Sequence, residues 1–337
     1  LYTQPNDPGV ASAVESLLAQ SDGVYGAVIM KPDGSVLYSK NSETPFVSAS
    51  LYKLVLLADI YRKIEQGTVA KTDRLQVLDS YFDPANGEDS YFTPENIGDS
   101  FTVERVLFAA GAYSSNVAAK MLLTLTTHES LANEAKLLGM SNTHLFVDPA
   151  ALPGWPPTAA PDSSAADVAA AAAFDVNDAV NGSTNLTTPA DMAHYFQLLL
   201  DGKIVSKTAS AEILDILKTQ MVDNRFPVLL PDGTQMAHKT GDLDHVVHDV
   251  GVIYAPNGPV ILVSMAEGDS NDDIPIEIEQ RLALIAYGDF DIPPIDLASV
   301  DGSGNADAGN ASDGNASGGN ASDGNVSDGG SNDGNAG

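Results

Sequence analysis

Cysteine is absent from all 337 residues, which removes disulfide staples, thiolate metal sites and cysteine nucleophiles together and leaves the redox compartment unreadable. Basic residues are scarce: 16 Lys and Arg stand against 46 Asp and Glu, a formal net charge of -30. A surface of that sign repels nucleic-acid phosphates and anionic membranes, so neither is an expected partner. Long apolar runs are missing too. The longest, Leu54–Ile60 and Pro259–Met265, fall far short of the roughly 20 residues a membrane-spanning helix needs, and no membrane insertion of the body is expected. What the chain does have is 43% hydrophobic residues, including 11 Tyr and 10 Phe, enough for a sizeable core in one large domain or two intertwined lobes. The first residue is Leu1 rather than Met; the expectation is that a leader has been removed and that the chain is exported, to an extracellular or periplasmic location.

The composition changes abruptly near the end. Residues 301–337 contain only Gly, Asn, Asp, Ser, Ala and one Val, in a five-residue beat around Asn310, Asn315, Asn320 and Asn325. Such a stretch has almost nothing to bury, so residues 296–337 are expected to be a disordered tail acting as a spacer. The Asn-x-Ser triplets at those four asparagines are glycosylation sequons, while the five-residue period does not fit the nine-residue calcium repeat. The tail does not create the charge, since residues 1–300 still hold 40 acidic against 16 basic residues.

Ahead of the tail, periodicity separates two kinds of segment. Residues 10–19 read as a short amphipathic helix, and 24–30 with 35–39 as a hairpin turned by Pro32-Asp33-Gly34. From Ser50 to Gln66 the apolar residues cover most of a helical circumference before Gly67 ends the run. Further helices are expected over 103–110, 115–125, 129–138 and 189–201, strands over 235–240, 246–254 and 260–267, and a closing helix over 272–288. The fold class implied is α/β (α+β): an antiparallel sheet built from both termini and flanked by helices, with an inserted all-α lobe. The boundaries are an α/β lobe at about 10–50 and 206–290 and a helical lobe at about 51–205, together one catalytic domain over 1–295. A cleft between lobes is the default place for a site.

Three short motifs carry chemistry. Ser50-Leu51-Tyr52-Lys53 opens the buried helix, and a spacing of three sets Ser50 and Lys53 on one helical face. A serine hydroxyl becomes a useful nucleophile when a neighbouring base takes its proton, and a desolvated lysine can serve. Tyr113-Ser114-Ser115-Asn116 offers a hydroxyl and a carboxamide two residues apart, although Ser and Asn also suit a helix N-cap. His238-Lys239-Thr240-Gly241 offers an ammonium, a hydroxyl and a glycine that lets a ligand approach the backbone. Each alone is a common coincidence; the conjunction, in this order and on these elements, is not.

Taken together the motifs resemble those of the penicillin-recognising serine hydrolases, and most closely the class A β-lactamase-like branch. The resemblance runs from about Val10 to Phe290 and includes Thr187–Ala193 and Asp249–Val252. It implies that Ser50 is acylated with Lys53 as base, that Ser114 relays a proton to the leaving nitrogen with help from Lys53 and Lys239, and that Asn116 orients the substrate amide. It implies that Lys239 and Thr240 hold the substrate carboxylate beside Gly241, and that the backbone N–H groups of Ser50 and Asp242 form an oxyanion hole. Arg225 matches a position where some members place a carboxylate-binding arginine. The implied partner is a small-molecule β-lactam or a peptidoglycan-stem-like peptide; no cofactor is implied, and His238, His245 and His248 do not have the spacing of a zinc motif.

The sequence also departs from the pattern. Class A enzymes use a loop glutamate to activate the water that clears the acyl-enzyme, and no glutamate lies between Glu134 and Glu212. Asp148, Asp162, Asp167, Asp175 and Asp178 are the acids available in the enlarged loop. Ser115 stands where the pattern has aspartate. Acylation therefore reads as intact and deacylation as rebuilt, which leaves open slow β-lactam hydrolysis, a D-Ala-D-Ala carboxypeptidase or transpeptidase, or a non-catalytic binding module on the same fold.

Overall fold

The computed structural model describes residues 6–83, 87–147 and 184–295. Helix α1 (Pro8–Leu18) starts where Asp7 accepts from the N–H groups of Gly9 and Val10, with Pro8 at the first helical position. Strands β1 (Val24–Met30) and β2 (Val36–Lys40) follow, then β3 (Phe46–Val47), a single 3-10 turn over Ala49–Leu51, and α2 (Tyr52–Glu65). After β4 (Arg74–Gln76) and β5 (Ser100–Thr102) come α3 (Val103–Ala112), α4 (Asn116–Leu123), α5 (His128–Leu137) and β6 (His144–Val147). The chain is described again through β7 (Thr184–Thr187), α6 (Pro189–Leu200), α7 (Lys207–Leu217), β8 (Met236–Leu243), β9 (Val246–Ala255), β10 (Gly258–Glu267) and α8 (Asp273–Tyr287).

The main sheet is antiparallel, in the order β2-β1-β10-β9-β8, so the strands from the two ends of the described chain pair directly, with Val28 opposite Val263. Its strands are buried on both faces. Val28, Met30, Val250, Val252, Val263 and Met265 face the helices between, while Ala27, Ile29, Ile253 and Leu262 pack under α1 and α8. Helix α2 is buried throughout Tyr52–Tyr61, as its all-round apolar pattern requires. Two of its polar side chains tie it to its surroundings: Asp59 accepts from Lys63, Thr126 and Ser130, and Arg62 donates through Nε and an Nη to both oxygens of the buried Glu134, which pins α5 to α2.

The expected sheet from both termini with helices between is the observed fold. Three elements go beyond the sequence reading. Helix α7 over Lys207–Leu217 was not among the expected helices, and its Ala209, Ile213 and Leu217 join the core shared by the helices and one face of the sheet. Strands β3, β7 and β6 form a small second sheet, and β4 pairs with β5. These strands have two to four residues, too few for alternation to register. The tail over 296–337 and the loop acids Asp148, Asp162, Asp167, Asp175 and Asp178 lie outside the described residues.

Candidate active site

The turn before α2 is unusual backbone. Ala49 has φ 44, a left-handed conformation that a residue with a Cβ adopts at a cost of roughly 1 kcal/mol. It bends the chain so that Ser50 is partly exposed while Leu51 on the same turn is fully buried. One helical turn on, Lys53 is fully buried and its Nζ lies 2.9 Å from Ser50 Oγ. The same nitrogen is 2.7 Å from Asn116 Oδ1, donates to the carbonyl of Ser114, and stands 3.4 Å from Ser114 Oγ.

Ser114 is the second strained residue, with φ 56. It sits between α3 and α4, where Ser115 caps α4 by accepting from Ala118 N. Its hydroxyl is shared: Lys239 Nζ approaches Ser114 Oγ at 2.8 Å from the sheet side, opposite Lys53. Lys239 is fully buried on β8 and also donates to the carbonyl of Thr240 at 2.8 Å. Burial, reinforced by the positive charges of Lys53 and Arg225, holds its ammonium well below the usual lysine range, with Asp249 opposing. Four side chains from three stretches, Ser50, Lys53, Ser114 and Lys239, thus form one hydrogen-bonded chain.

Strand β8 approaches the Ser50 turn through Gly241. A Cβ there would stand 3.1 Å from the Ser48 carbonyl and 3.2 Å from Leu51, so the glycine allows the strand and the turn to close up. Thr240 is buried, and its Oγ1 is without a hydrogen-bond partner among the described residues. Asn116 is exposed on the first residue of α4.

Arg225, for which the resemblance implied a carboxylate-binding part, is held by groups of the protein itself. It is 3% exposed, and its two terminal nitrogens are engaged within the protein while Nε has no hydrogen-bond partner among the described residues. It pairs with the carboxylate of Asp242, donates to the carbonyl of His248 at 2.7 Å, and turns Nε toward Glu279 at 3.8 Å. The side chain of that Asp242 partner is 34% exposed. The histidines are likewise committed. His238 Nδ1 lies 2.8 Å from Asp249 Oδ1, and His248 is fully buried with Nε2 2.8 Å from the carbonyl of Val47; burial pushes its imidazole down to about 4. Among the described residues no cluster of His, Asp and Glu could hold a metal ion.

Two residues in the site escaped the sequence reading. Asp89 accepts from Ser115 Oγ at 2.7 Å and from Val117 N at 2.9 Å, supplying from a distant loop a carboxylate where the motif has a hydroxyl. Glu267, at the end of β10, accepts from Val47 N at 2.6 Å. Burial pushes its carboxyl up to about 8, against the opposing pull of that N–H. The partners that tie them to the site, Ser115 and Val117 for Asp89 and Val47 for Glu267, lie far away in sequence, so no local pattern marked either role.

A family model described as the beta-lactamase enzyme family matches residues 9–290. No curated protein matches the chain. Among solved structures, a beta-lactamase from Sphaerobacter thermophilus DSM 20745 is 25% identical with a TM-score of 0.68, covering 85% of this chain and 98% of its own. PBP-A is 21% identical with a TM-score of 0.66 over 85% and 98% of the two chains. A beta-lactamase from Chitinophaga pinensis DSM 2588 is 18% identical with a TM-score of 0.68 over 83% and 98%. The match to the family model spans the main sheet, the helices and all three motifs, and the chain belongs to the beta-lactamase enzyme family.

Proposed function

We propose that the protein is an exported serine hydrolase that is acylated at Ser50 by β-lactams and releases the acyl group slowly. One observation carries the reading: Lys53 Nζ is 2.9 Å from Ser50 Oγ while Ser114 Oγ stands between Lys53 and Lys239. In acylation, Ser50 Oγ bonds to the lactam carbonyl carbon as its proton passes to the neutral amine form of Lys53. The carbonyl electrons move to oxygen, toward the backbone N–H groups of Ser50 and Asp242. As the C–N bond breaks, the nitrogen takes the Ser114 hydroxyl proton, which Lys53 and Lys239 are in position to replace. Asn116 and Thr240 then serve substrate side-chain amide and carboxylate. The absence of any glutamate between Glu134 and Glu212 is why release of the acyl group is placed as the slow step.

The same observation favours a second reading, a carboxypeptidase or transpeptidase on peptides ending in D-Ala-D-Ala, which shares acylation and differs in what attacks the ester. Nitrocefin opening and D-alanine release, measured on one preparation, separate the two. The expected result is a burst of nitrocefin opening about equal to the protein present, then slow turnover, both abolished in Ser50→Ala. D-alanine release without a nitrocefin burst would transfer the assignment to the peptidase, and neither signal would sink both.

A further inference from the structure

A single carboxylate, that of Asp89, gathers four donors. Its Oδ2 accepts from Ser115 Oγ at 2.7 Å, Phe92 N at 2.9 Å and Tyr91 N at 3.1 Å, and its Oδ1 accepts from Val117 N at 2.9 Å. Four acceptor sites are what an ionised carboxylate has, and an amide of the same shape has half as many. The neighbouring Ser90 Oγ donates to the carbonyl of Tyr113. Tyr91 packs edge-on against Tyr113 with ring centroids 4.8 Å apart.

These contacts flank one residue. Tyr113 is held on one side and Ser115 and Val117 on the other, all from the loop over 89–92, while Ser114 between them keeps φ 56. A serine in the left-handed region tends to relax unless its neighbours hold it. Relaxation would swing Ser114 Oγ away from Lys239 and its carbonyl away from Lys53. Asn116, whose Oδ1 is 2.7 Å from Lys53, lies between two of the tethered groups and would move with it.

We infer that Asp89 is a positioning residue for acylation: it substitutes, through space, for a carboxylate at position 115, and holds Ser114 and Asn116 against the two lysines. This rests on the proposed acylation of Ser50 for its effect on rate, but not for its effect on geometry. A carboxylate moved to position 115 can do the same work, because an N-cap Asp reaches the N–H groups of Val117 and Ala118.

The test has a kinetic and a crystallographic arm, applied to the full chain and to the Asp89→Ala, Asp89→Asn and Asp89→Ala/Ser115→Asp variants. Acylation by benzylpenicillin is expected to slow about 10- to 100-fold in Asp89→Ala, through the rate at saturation rather than the half-saturating concentration. Asp89→Asn, which preserves volume and folding, is expected to slow it by at least about 5-fold. Ser115→Asp in the Asp89→Ala background should recover most of the loss. Rates within about two-fold of wild type in both single variants would overturn the inference, as would a loss that Ser115→Asp leaves unrepaired. In crystals of Asp89→Ala, Ser114 should leave positive φ and lose its contact with Lys239, and both should return in the double variant; an unmoved Ser114 overturns the inference. If the wild-type chain forms no adduct, the proposed function falls, and the crystal structures still decide the role of Asp89.

Discussion

Lys53 and Lys239 illustrate what a residue's surroundings add to its identity. Each is a lysine with no exposed surface, and burying an ammonium is costly unless hydrogen bonds or loss of the proton compensate. Both compensations centre on Ser114, whose carbonyl and hydroxyl serve the two amines. Asp242 shows the opposite case, a carboxylate left partly exposed at the edge of the site and half-neutralised by a buried arginine. Asp242→Asn should speed acylation by anionic β-lactams by about three- to ten-fold, by removing a like charge near the substrate carboxylate. It should also lower the unfolding temperature, since Arg225 would lose its ionised partner. Stopped-flow acylation and a thermal melt on the same variant check both; an unchanged or slower rate would show that Asp242 does not oppose the substrate. The three motifs were legible because their spacing is local and their order specific. Asp89, Asp242 as the partner of Arg225, and Glu267 were not, because each acts on a residue that only folding brings near.

At the scale of elements, one residue ahead of the Ser50 turn is tied to two strands of the main sheet. Val47, at the end of β3, gives its N–H to Glu267 on β10, and its carbonyl faces His248 Nε2 on β9. Glu267 is raised to about 8 from the usual 4.5, so between those values the folded state binds the proton more tightly than the unfolded chain. Its contribution is therefore complete below pH 4.5 and is lost as pH rises through 8. His248 is lowered to about 4 from 6.5, so its contribution is absent in acid and grows as pH rises from 4 to 6.5. The two slopes oppose each other up to pH 6.5, and above it only Glu267 titrates. Denaturant melts should show wild type losing up to about 1.4 kcal/mol per pH unit more than Glu267→Gln between roughly pH 6.5 and 8. Equal slopes in the two proteins would contradict the assignment. Sequence periodicity located the long strands and helices because each repeats its pattern several times. It passed over β3 because two residues have no period, and it did not mark α7 as a helix.

For the molecule as a whole, a net charge of -30 surrounds a site furnished with Lys53 and Lys239. The long-range field repels an anionic substrate that the local lysines attract, and salt screens the long-range part first. The second-order acylation rate with benzylpenicillin should therefore rise about two- to three-fold from roughly 0.01 M to 0.15 M salt, and less with a zwitterionic penicillin. A fall over that range would mean that the local lysines dominate the approach. The architecture was readable from sequence as strands at both ends with helices between, because the composition of the body alternates cleanly between the two patterns. Which acid serves the enlarged loop was not readable, because five aspartates compete there with no glutamate to single one out.

Intact-mass spectrometry of the wild-type chain and of Lys53→Ala, followed from minutes to hours after mixing with benzylpenicillin, bears most directly on Ser50 as the acylated residue. The wild type should gain one penicilloyl mass, mapped by peptide digestion to Ser50 and cleared slowly, while Lys53→Ala should gain none on the same timescale. An unmodified wild-type mass, or an adduct on another residue, would contradict the proposed chemistry.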